Sequence, residues 1–227
     1  MTAIACAGIG MSAPALAGAR PMVRPDQPLV RLLFGHRVYA RPGAHPSPRR
    51  LPARTPLTGE TTTLPVLGHA VTARHRWLRV MLPGRPNSST GWIQQGGTRA
   101  SETGWQISVN LSRRQIRVYF IGHLLKTFTA VVGKPSTPTP TGHFFVEETE
   151  VMPGTAPGGP YVLALSARSN VLQEFDGGPG QIGIHGRDLL GGDLGQAESH
   201  GCMRLATPDI TWLADRIGPG VPVTIIR

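Results

Sequence analysis

Glycine and proline interrupt this chain so often that long helices are excluded over most of its length. The 227 residues include 29 glycines and 22 prolines, and both residue types end helices and mark turns. Only 6% of the residues are aromatic. This composition disfavours a helical bundle and favours short β-strands joined by many turns. The length suffices for one large domain or two small ones with a hydrophobic core.

The N-terminus resembles a secretion signal. Residues 1–21, MTAIACAGIGMSAPALAGARP, are mostly small and apolar, and the ALA tripeptide at 15–17 resembles a cleavage site. The stretch is too short and too rich in glycine for a stable membrane span. We therefore predict a signal-like segment over residues 1–18, a linker over 19–27, and export of the mature protein to the cell wall or extracytoplasmic space.

Positive charge is concentrated in the first part of the chain. The net charge is +10. Residues 1–104 contain 13 Arg and 3 acidic residues, whereas residues 105–227 contain 10 basic and 10 acidic residues. A basic surface attracts nucleic acid, membranes or anionic polymers. Because no nucleic-acid-binding motif accompanies the charge, we expect contact with cell-wall polymer and no nucleic-acid partner. Compositional drift toward arginine is the alternative explanation.

Residues 28–97 have the pattern of a small β module. Strand-like runs around residues 77–80 and 91–93 are separated by Gly, Pro and Asn, which form turns. The pattern W-L-R-V-x-L-P followed by G-W-I resembles bacterial SH3-like modules, and this resemblance implies a small β-barrel. The alternative is another small β domain with both tryptophans in its core. We expect residues 44–63 to be a loop and residues 98–104 to be a second linker.

Residues 105–227 show clearer β patterns. Apolar side chains alternate over residues 107–111 and over residues 116–120, which predicts two strands joined by a turn at 112–114. Alternation over residues 221–225 predicts a last strand.

One helix is predicted near the C-terminus. Thr207 suits the N-cap, Pro208 suits the first helical position, and apolar residues follow at helical spacing from residue 210 to 217. Gly218 ends the pattern.

The sequence SHGCMRL at residues 199–205 contains an unusual thiol. The chain has two cysteines, Cys6 and Cys202, and cleavage of the signal removes Cys6. An unpaired cysteine in an exported protein indicates a reactive thiol. A free thiol has a pKa of about 8.5, and a nearby imidazole can accept its proton. His185 and His200 are the candidate bases, and we expect iodoacetamide to label Cys202 faster than free cysteine near neutral pH.

Residues beside these groups also suit a catalytic site. Gly186 and Gly201 allow close approach of backbone, and free N–H groups there can bind an oxyanion. Ser199 is able to orient a neighbouring imidazole. Arg204 lies two residues after Cys202, on the same face of a strand, where a guanidinium can bind a substrate carboxylate.

The segment IHGRDLLGGDLGQAESHGCMRL resembles the signature of the L,D-transpeptidase catalytic domain, also called the YkuD domain. The upstream segment GKPSTPTPTGHF resembles the opening of the same family. The resemblance covers residues 105–227 and implies a mainly β, sandwich-like domain with one or two short helices. It implies that Cys202 is the nucleophile and His185 the general acid and base. It assigns shaping of the site and oxyanion pocket to Ser199, His200, Gly201 and Gly186.

The resemblance also implies a substrate and a reaction. The family acts on tetrapeptide stems of peptidoglycan through a cysteine thioester and forms 3→3 crosslinks. Arg204 and Tyr161 are our candidate substrate-binding residues. No cofactor or metal is expected, and carbapenems typically block family members. An L,D-carboxypeptidase or a ligase that attaches proteins to the wall would use the same nucleophile. A non-catalytic wall-binding module is the third alternative.

Two other interpretations of the cysteine motif are weaker. Cys202 could be an inert buried thiol, as free cysteines often are. His185, His200 and Cys202 could instead bind zinc, but no fourth ligand accompanies them in a recognised spacing.

Overall fold

A computed structural model describes residues 23–175 and 177–227. The predicted signal-like segment and residues 19–22 of the first predicted linker lie outside these residues. The predicted mainly β fold class is confirmed, because the described residues form 17 strands and one α-helix.

The first seven strands form one antiparallel sheet, which we call the N-terminal unit (residues 23–103). Its strand order is β3-β2-β6-β5-β4-β1-β7. The strands are β1 (Gln27–Leu32), β2 (His36–Tyr39), β3 (Pro46–Leu51), β4 (Thr63–Val71), β5 (Arg76–Met81), β6 (Thr90–Gln94) and β7 (Thr98–Thr103). The strands expected around residues 77–80 and 91–93 are confirmed as β5 and β6. The resemblance to an SH3-like barrel and the division into domains stay predictions.

Two segments expected to lack regular structure are strands, so those expectations are wrong. β3 lies within the predicted loop 44–63, and β7 occupies the predicted linker 98–104, where it pairs with β1 along its whole length. Both are edge strands of the sheet. Edge strands tolerate proline and polar residues because one side of their backbone is not paired. The sequences PSPRRL and TRASET therefore resemble loops.

The remaining strands form the C-terminal unit (residues 105–227). An eight-stranded sheet has the order β10-β9-β8-β17-β12-β13-β14-β16, and β11 pairs with β15 in a small separate sheet. The strands are β8 (Trp105–Asn110), β9 (Gln115–Phe120), β10 (His123–Thr129), β11 (Val132–Gly133), β12 (Gly142–Val151), β13 (Tyr161–Arg168), β14 (Gln181–Gly186), β15 (Ala197–Ser199), β16 (Met203–Leu205) and β17 (Pro222–Ile226). The three strands predicted from alternation are confirmed as β8, β9 and β17.

The predicted helix is confirmed as α1 (Thr207–Ala214), but its cap is different. Ala206 occupies the N-cap, and Thr207 is the first helical residue. The Thr207 hydroxyl donates instead to the Asp188 carboxylate. Ile210 and Leu213 are buried and join the core of the C-terminal unit, as their spacing predicts. Among the described residues, no helix has the length and hydrophobicity needed to cross a membrane.

The two units pack directly against each other. Phe145 of β12 is buried in the core cluster of the N-terminal unit, which otherwise consists of residues from that unit. The Gly84 N–H donates to the Ser166 carbonyl at 2.9 Å. The loop that contains Gly84 is therefore held beside β13 of the C-terminal unit.

Candidate active site

Strand β14 holds His185 in the interior of the eight-stranded sheet. The strand lies between β13 and β16, with His185 paired to Val162 on one side and to Arg204 on the other. The ring nitrogen Nδ1 lies 2.7 Å from the Gly186 carbonyl oxygen. Because a carbonyl oxygen only accepts hydrogen bonds, Nδ1 carries the hydrogen in the neutral ring. Nε2 is then the nitrogen with a lone pair able to accept a proton.

Burial keeps this imidazole neutral. Desolvation lowers the pKa of His185 below its usual range, the bond to Gly186 acts in the opposite direction, and the positive charge of Arg204 lowers it further. Near pH 7 His185 is therefore an uncharged base.

Cys202 immediately precedes β16, and its sulfur faces β14. The Gly183 N–H points at Sγ over 3.4 Å, and Sγ lies 3.9 Å from the Gln181 carbonyl oxygen. Desolvation raises the pKa of Cys202, although the Gly183 N–H and the charge of Arg204 act against it. The resting protein therefore holds a neutral thiol and a neutral imidazole. These directions favour slow iodoacetamide labelling at neutral pH, whereas the sequence analysis expected fast labelling.

Two cavities meet at this pair, and both are lined by His185 and Cys202. The larger has a volume of about 360 Å³ and is bordered by His200 and Arg204. The smaller has a volume of about 170 Å³ and is mostly apolar. Cys202 and His185 thus border two cavities, an arrangement that suits a reaction with two successive substrates.

Ser199 fixes the backbone of the cysteine loop. Its side chain is fully buried, its Oγ accepts the Gly201 N–H at 3.1 Å and donates to the Cys202 carbonyl at 2.5 Å. Ser199 therefore orients Cys202 and not an imidazole, which corrects the orienting role expected from the sequence. The Gly201 N–H is engaged in this bond, so it is not a free oxyanion donor in the resting protein.

Gly201 also permits the tight turn before the cysteine. Its φ is +125°, and a Cβ there would lie 2.9 Å from Ile182 Cδ1. The loop between β11 and β12 secures the turn, because the Thr139 hydroxyl donates to the Gly201 carbonyl at 2.8 Å and the Thr137 hydroxyl to the Ser199 carbonyl at 3.2 Å. The TPTPTG segment noted in the sequence thus contacts the SHGC motif directly.

Gly186 admits a second loop over His185. Its N–H donates to the Gly158 carbonyl at 2.9 Å, and a Cβ at this position would lie 2.0 Å from the Gly159 carbonyl oxygen. Only glycine allows this approach of backbone to backbone. The loop covers the Nδ1 side of the imidazole, so Gly186 shapes the site and its N–H is occupied.

His200 lies at the exposed mouth of the larger cavity. Its ring stacks on Phe175 at 5.6 Å, and Nε2 lies 3.4 Å from Lys134 Nζ. Arg204 borders the same cavity, and its Nη1 donates to the carbonyls of Leu190 and Gly191. Arg204 borders the cavity and Lys134 lies beside His200, so these two cationic side chains give the cavity a cationic rim. Carboxylate binding by Arg204 stays a prediction.

Tyr161 does not line either cavity, so its placement in the cleft is wrong. It packs against the core of the C-terminal unit. The neighbouring Val162 lines the smaller cavity, and successive residues of a strand point to opposite faces. The strand that carries Tyr161 therefore turns its ring away from the sulfur.

The sequence analysis missed the residues that support the larger cavity. The segment between β13 and β14 contributes Ser169, Leu172, Phe175 and Gly180 to its lining. Arg85 of the N-terminal unit donates to the carbonyls of Ser169 (2.7 Å), Leu172 (3.1 Å) and Pro179 (2.9 Å). No local pattern marks Arg85, because it lies more than 80 residues away from the loop it holds.

A buried ion pair supports the start of β14. Glu147 pairs with Arg168 at 3.1 Å, and the Gln181 side chain donates to the same carboxylate oxygen at 3.1 Å. Desolvation raises the pKa of Glu147, and the charge of Arg168 opposes the shift. Gln181 borders both cavities, so this network fixes the strand on which His185 lies.

Within residues 23–175 and 177–227, no three His, Cys, Asp or Glu side chains are grouped closely enough to hold a metal ion.

Comparison with known proteins gives consistent similarities. Residues 104–225 match the family model described as the L,D-transpeptidase catalytic domain, YkuD. The putative L,D-transpeptidase YkuD of Bacillus licheniformis is 31% identical over 154 residues, which are 65% of this chain and 85% of that protein. L,D-transpeptidase 1 of Mycobacterium tuberculosis is 31% identical over 113 residues, or 46% of this chain and 43% of that protein.

Solved structures are similar at lower identity. An L,D-transpeptidase in complex with imipenem aligns with a TM-score of 0.45 and 22% identity, covering 72% of this chain and 90% of that one. The catalytic domain of an Enterococcus faecium L,D-transpeptidase aligns with a TM-score of 0.41 and 24% identity, covering 54% and 96%.

Proposed function

The chain belongs to the family of L,D-transpeptidase catalytic domains, and we propose that it forms 3→3 crosslinks in peptidoglycan through a thioester on Cys202. The observation that carries the proposal is the meeting of two cavities at one thiol and one neutral imidazole. This arrangement suits a two-substrate acyl transfer, in which the donor acylates the sulfur before the acceptor approaches it.

The first half of the reaction transfers an acyl group to the sulfur. His185 Nε2 accepts the Sγ proton while Sγ attacks the carbonyl carbon at the L-centre of the third stem residue. The new C–S bond forms and the C–N bond to the terminal D-alanine breaks. The imidazolium returns its proton to the departing amine. The thiol is neutral at rest, so the thiolate develops only as the proton leaves for His185.

The second half releases the sulfur. The side-chain amine of another stem attacks the thioester carbon, and its proton passes to His185 Nε2. A C–N bond forms, the C–S bond breaks, and the sulfur regains its proton from the imidazolium. One peptide bond has been exchanged for another, which requires no cofactor and no oxidation or reduction.

The cationic rim of the larger cavity favours the donor there, because the tetrapeptide stem carries a terminal carboxylate. Arg204 and Lys134 provide the positive charge. Carbapenems carry a carboxylate as well, and one solved relative is described as a complex with imipenem. We include carbapenem acylation of Cys202 in the proposal.

The cellular setting is part of the proposal. Export to the cell wall accounts for the signal-like N-terminus, and the arginine-rich N-terminal half provides contact with anionic wall polymer.

Purified tetrapeptide muropeptides test the function. The parent protein should convert them to a crosslinked dimer with loss of one D-alanine, as measured by mass spectrometry, and the Cys202→Ala variant should not. Tripeptide monomers alone would assign the chain to the L,D-carboxypeptidases. A Cys202→Ala variant with full biological function and intact wall binding would favour the non-catalytic module.

A further inference from the structure

We propose that Leu57 of the N-terminal unit controls which acceptor reaches the thioester, and that it does so as a wall of the smaller cavity. The inference rests on the proposed function. It assigns to the N-terminal unit a direct part in specificity, in addition to any contact with the wall.

Leu57 is the one residue of the N-terminal unit that lines the smaller cavity. The other lining residues come from β13, from β14 and from Cys202 itself. Leu57 is 59% exposed, so the core does not require a leucine there. Leu57 and Cys202, 145 positions apart in the chain, line the same cavity.

The loop that carries Leu57 is anchored on the catalytic side of the interface. One carboxylate oxygen of Glu148 accepts the Leu57 N–H at 3.1 Å, the Thr58 N–H at 2.8 Å and the Thr58 hydroxyl at 2.9 Å. Glu148 is fully buried. Each such hydrogen bond contributes about 0.5–1.5 kcal/mol, so three of them to one oxygen hold the loop in place.

Neighbouring contacts strengthen the anchor. The Thr149 N–H donates to the Glu60 carboxylate at 3.0 Å, which ties the far end of the loop to β12. The pairing of β12 with β13 shifts register between Val146 and Glu148, and a bulge of this kind redirects side chains. Glu147 therefore faces Arg168 and Gln181, whereas Glu148 faces the loop. Leu57 is therefore held at a fixed place in the wall of the smaller cavity.

The chemistry of the smaller cavity suits the acceptor. Leu57, Val162 and Ala164 are apolar, and they match the aliphatic part of a diamino-acid side chain that ends in the attacking amine. The volume of about 170 Å³ also admits water, which would hydrolyse the thioester. An apolar wall at the mouth favours the aliphatic amine over water, so Leu57 favours crosslinking over hydrolysis.

The test compares Leu57→Ala with the parent in two assays. Carbapenem acylation, which uses the larger cavity and the sulfur, should stay within about twofold of the parent. The ratio of crosslinked dimer to hydrolysed tripeptide should fall about fivefold, the effect of losing contact with one or two methylene groups. Leu57→Met should keep the ratio near that of the parent.

Leu33→Ala is the matched control, because Leu33 is an exposed leucine of the same unit outside both cavities. It should leave both assays unchanged. Thr58→Ala removes one of the three bonds to Glu148 and should lower the dimer ratio about twofold. A lower dimer ratio in both Leu57→Ala and Thr58→Ala supports the inference from two independent substitutions.

The outcomes separate the two levels of the proposal. A parent that forms dimer, together with an unchanged ratio in Leu57→Ala or an equal fall in Leu33→Ala, overturns the inference alone. A parent that is acylated by carbapenem but forms only tripeptide overturns the transpeptidase step, and the inference with it. A parent that is not acylated overturns the proposed function at its first step.

Discussion

Removing one hydroxyl group from the cysteine loop should cost both stability and activity. Ser199 Oγ is buried and bridges the Gly201 N–H and the Cys202 carbonyl. Ser199→Ala leaves both groups without this partner, and each orphaned buried polar group costs about 1–3 kcal/mol. We expect the free energy of unfolding to fall by about 3 kcal/mol. For a chain of this length, that corresponds to a decrease in Tm of roughly 6–12 °C.

The same substitution should slow acylation by more than its stability effect explains. Because Oγ holds the Cys202 backbone, its loss allows Sγ to shift from its place against Gly183. A misplacement of about 1 Å costs roughly 10²-fold in rate. The measurement is the rate of carbapenem acylation at a temperature well below both unfolding transitions.

Ser166→Ala supplies the control for this prediction. Ser166 is also buried, and its Oγ accepts only the Phe145 N–H, at 3.1 Å. Its replacement should reduce stability by about 1–2 kcal/mol and leave the acylation rate within about twofold. Equal acylation rates in the parent and Ser199→Ala would refute the positioning role, and so would an equal slowing in Ser166→Ala.

Three further predictions follow from the electrostatics and the unit interface. Burial raises the pKa of Cys202 and lowers that of His185. Iodoacetamide should therefore label the folded protein more slowly than free cysteine at pH 7, and the labelling rate should increase as pH rises above the usual thiol pKa. Labelling faster than that of free cysteine at pH 7 would contradict a neutral thiol beside a neutral imidazole. In the unfolded state His185 binds a proton near its usual pKa of about 6.5, whereas burial lowers its pKa in the folded state. The free energy of unfolding should therefore fall as pH drops below about 6.5, and it should fall less steeply in His185→Gln. If urea denaturation gives the parent and the variant the same change in this free energy between pH 7 and pH 5, the prediction is wrong. Arg85→Ala removes three bonds to the loop 169–180 and should speed hydrogen exchange there and slow carbapenem acylation about fivefold, whereas the exposed Arg37→Ala should do neither.

The fold could be predicted where side-chain alternation reflects burial. β8, β9 and β17 are interior strands of their sheet, and their apolar residues face the core. β3 and β7 could not be predicted, because each is an edge strand with a polar or proline-containing sequence. Leu51 is the one residue of β3 in the core cluster of the N-terminal unit, too few for an alternating pattern. The helix was predicted by its apolar spacing. Thr207 was predicted to be the N-cap but is the first helical residue, because a threonine suits either position.

The site could be predicted where its residues lie in one motif. His185 lies on β14, and the SHGC residues lie close to it in sequence, directly before β16, the parallel neighbour of β14. Leu57 and Arg85 could not be predicted, since packing between the two units brings them to the cavities from distant positions. Tyr161 was misplaced because sequence spacing does not determine which face of a strand a side chain occupies.

Intact-mass analysis with peptide mapping tests most directly whether one sulfur carries the acyl group. After incubation with a carbapenem, the parent should gain the mass of one drug molecule, located on the peptide that contains Cys202. The Cys202→Ala variant should gain none under the same conditions. The same adduct on Cys202→Ala, or an adduct mapped to a different residue of the parent, would contradict the assignment of the nucleophile.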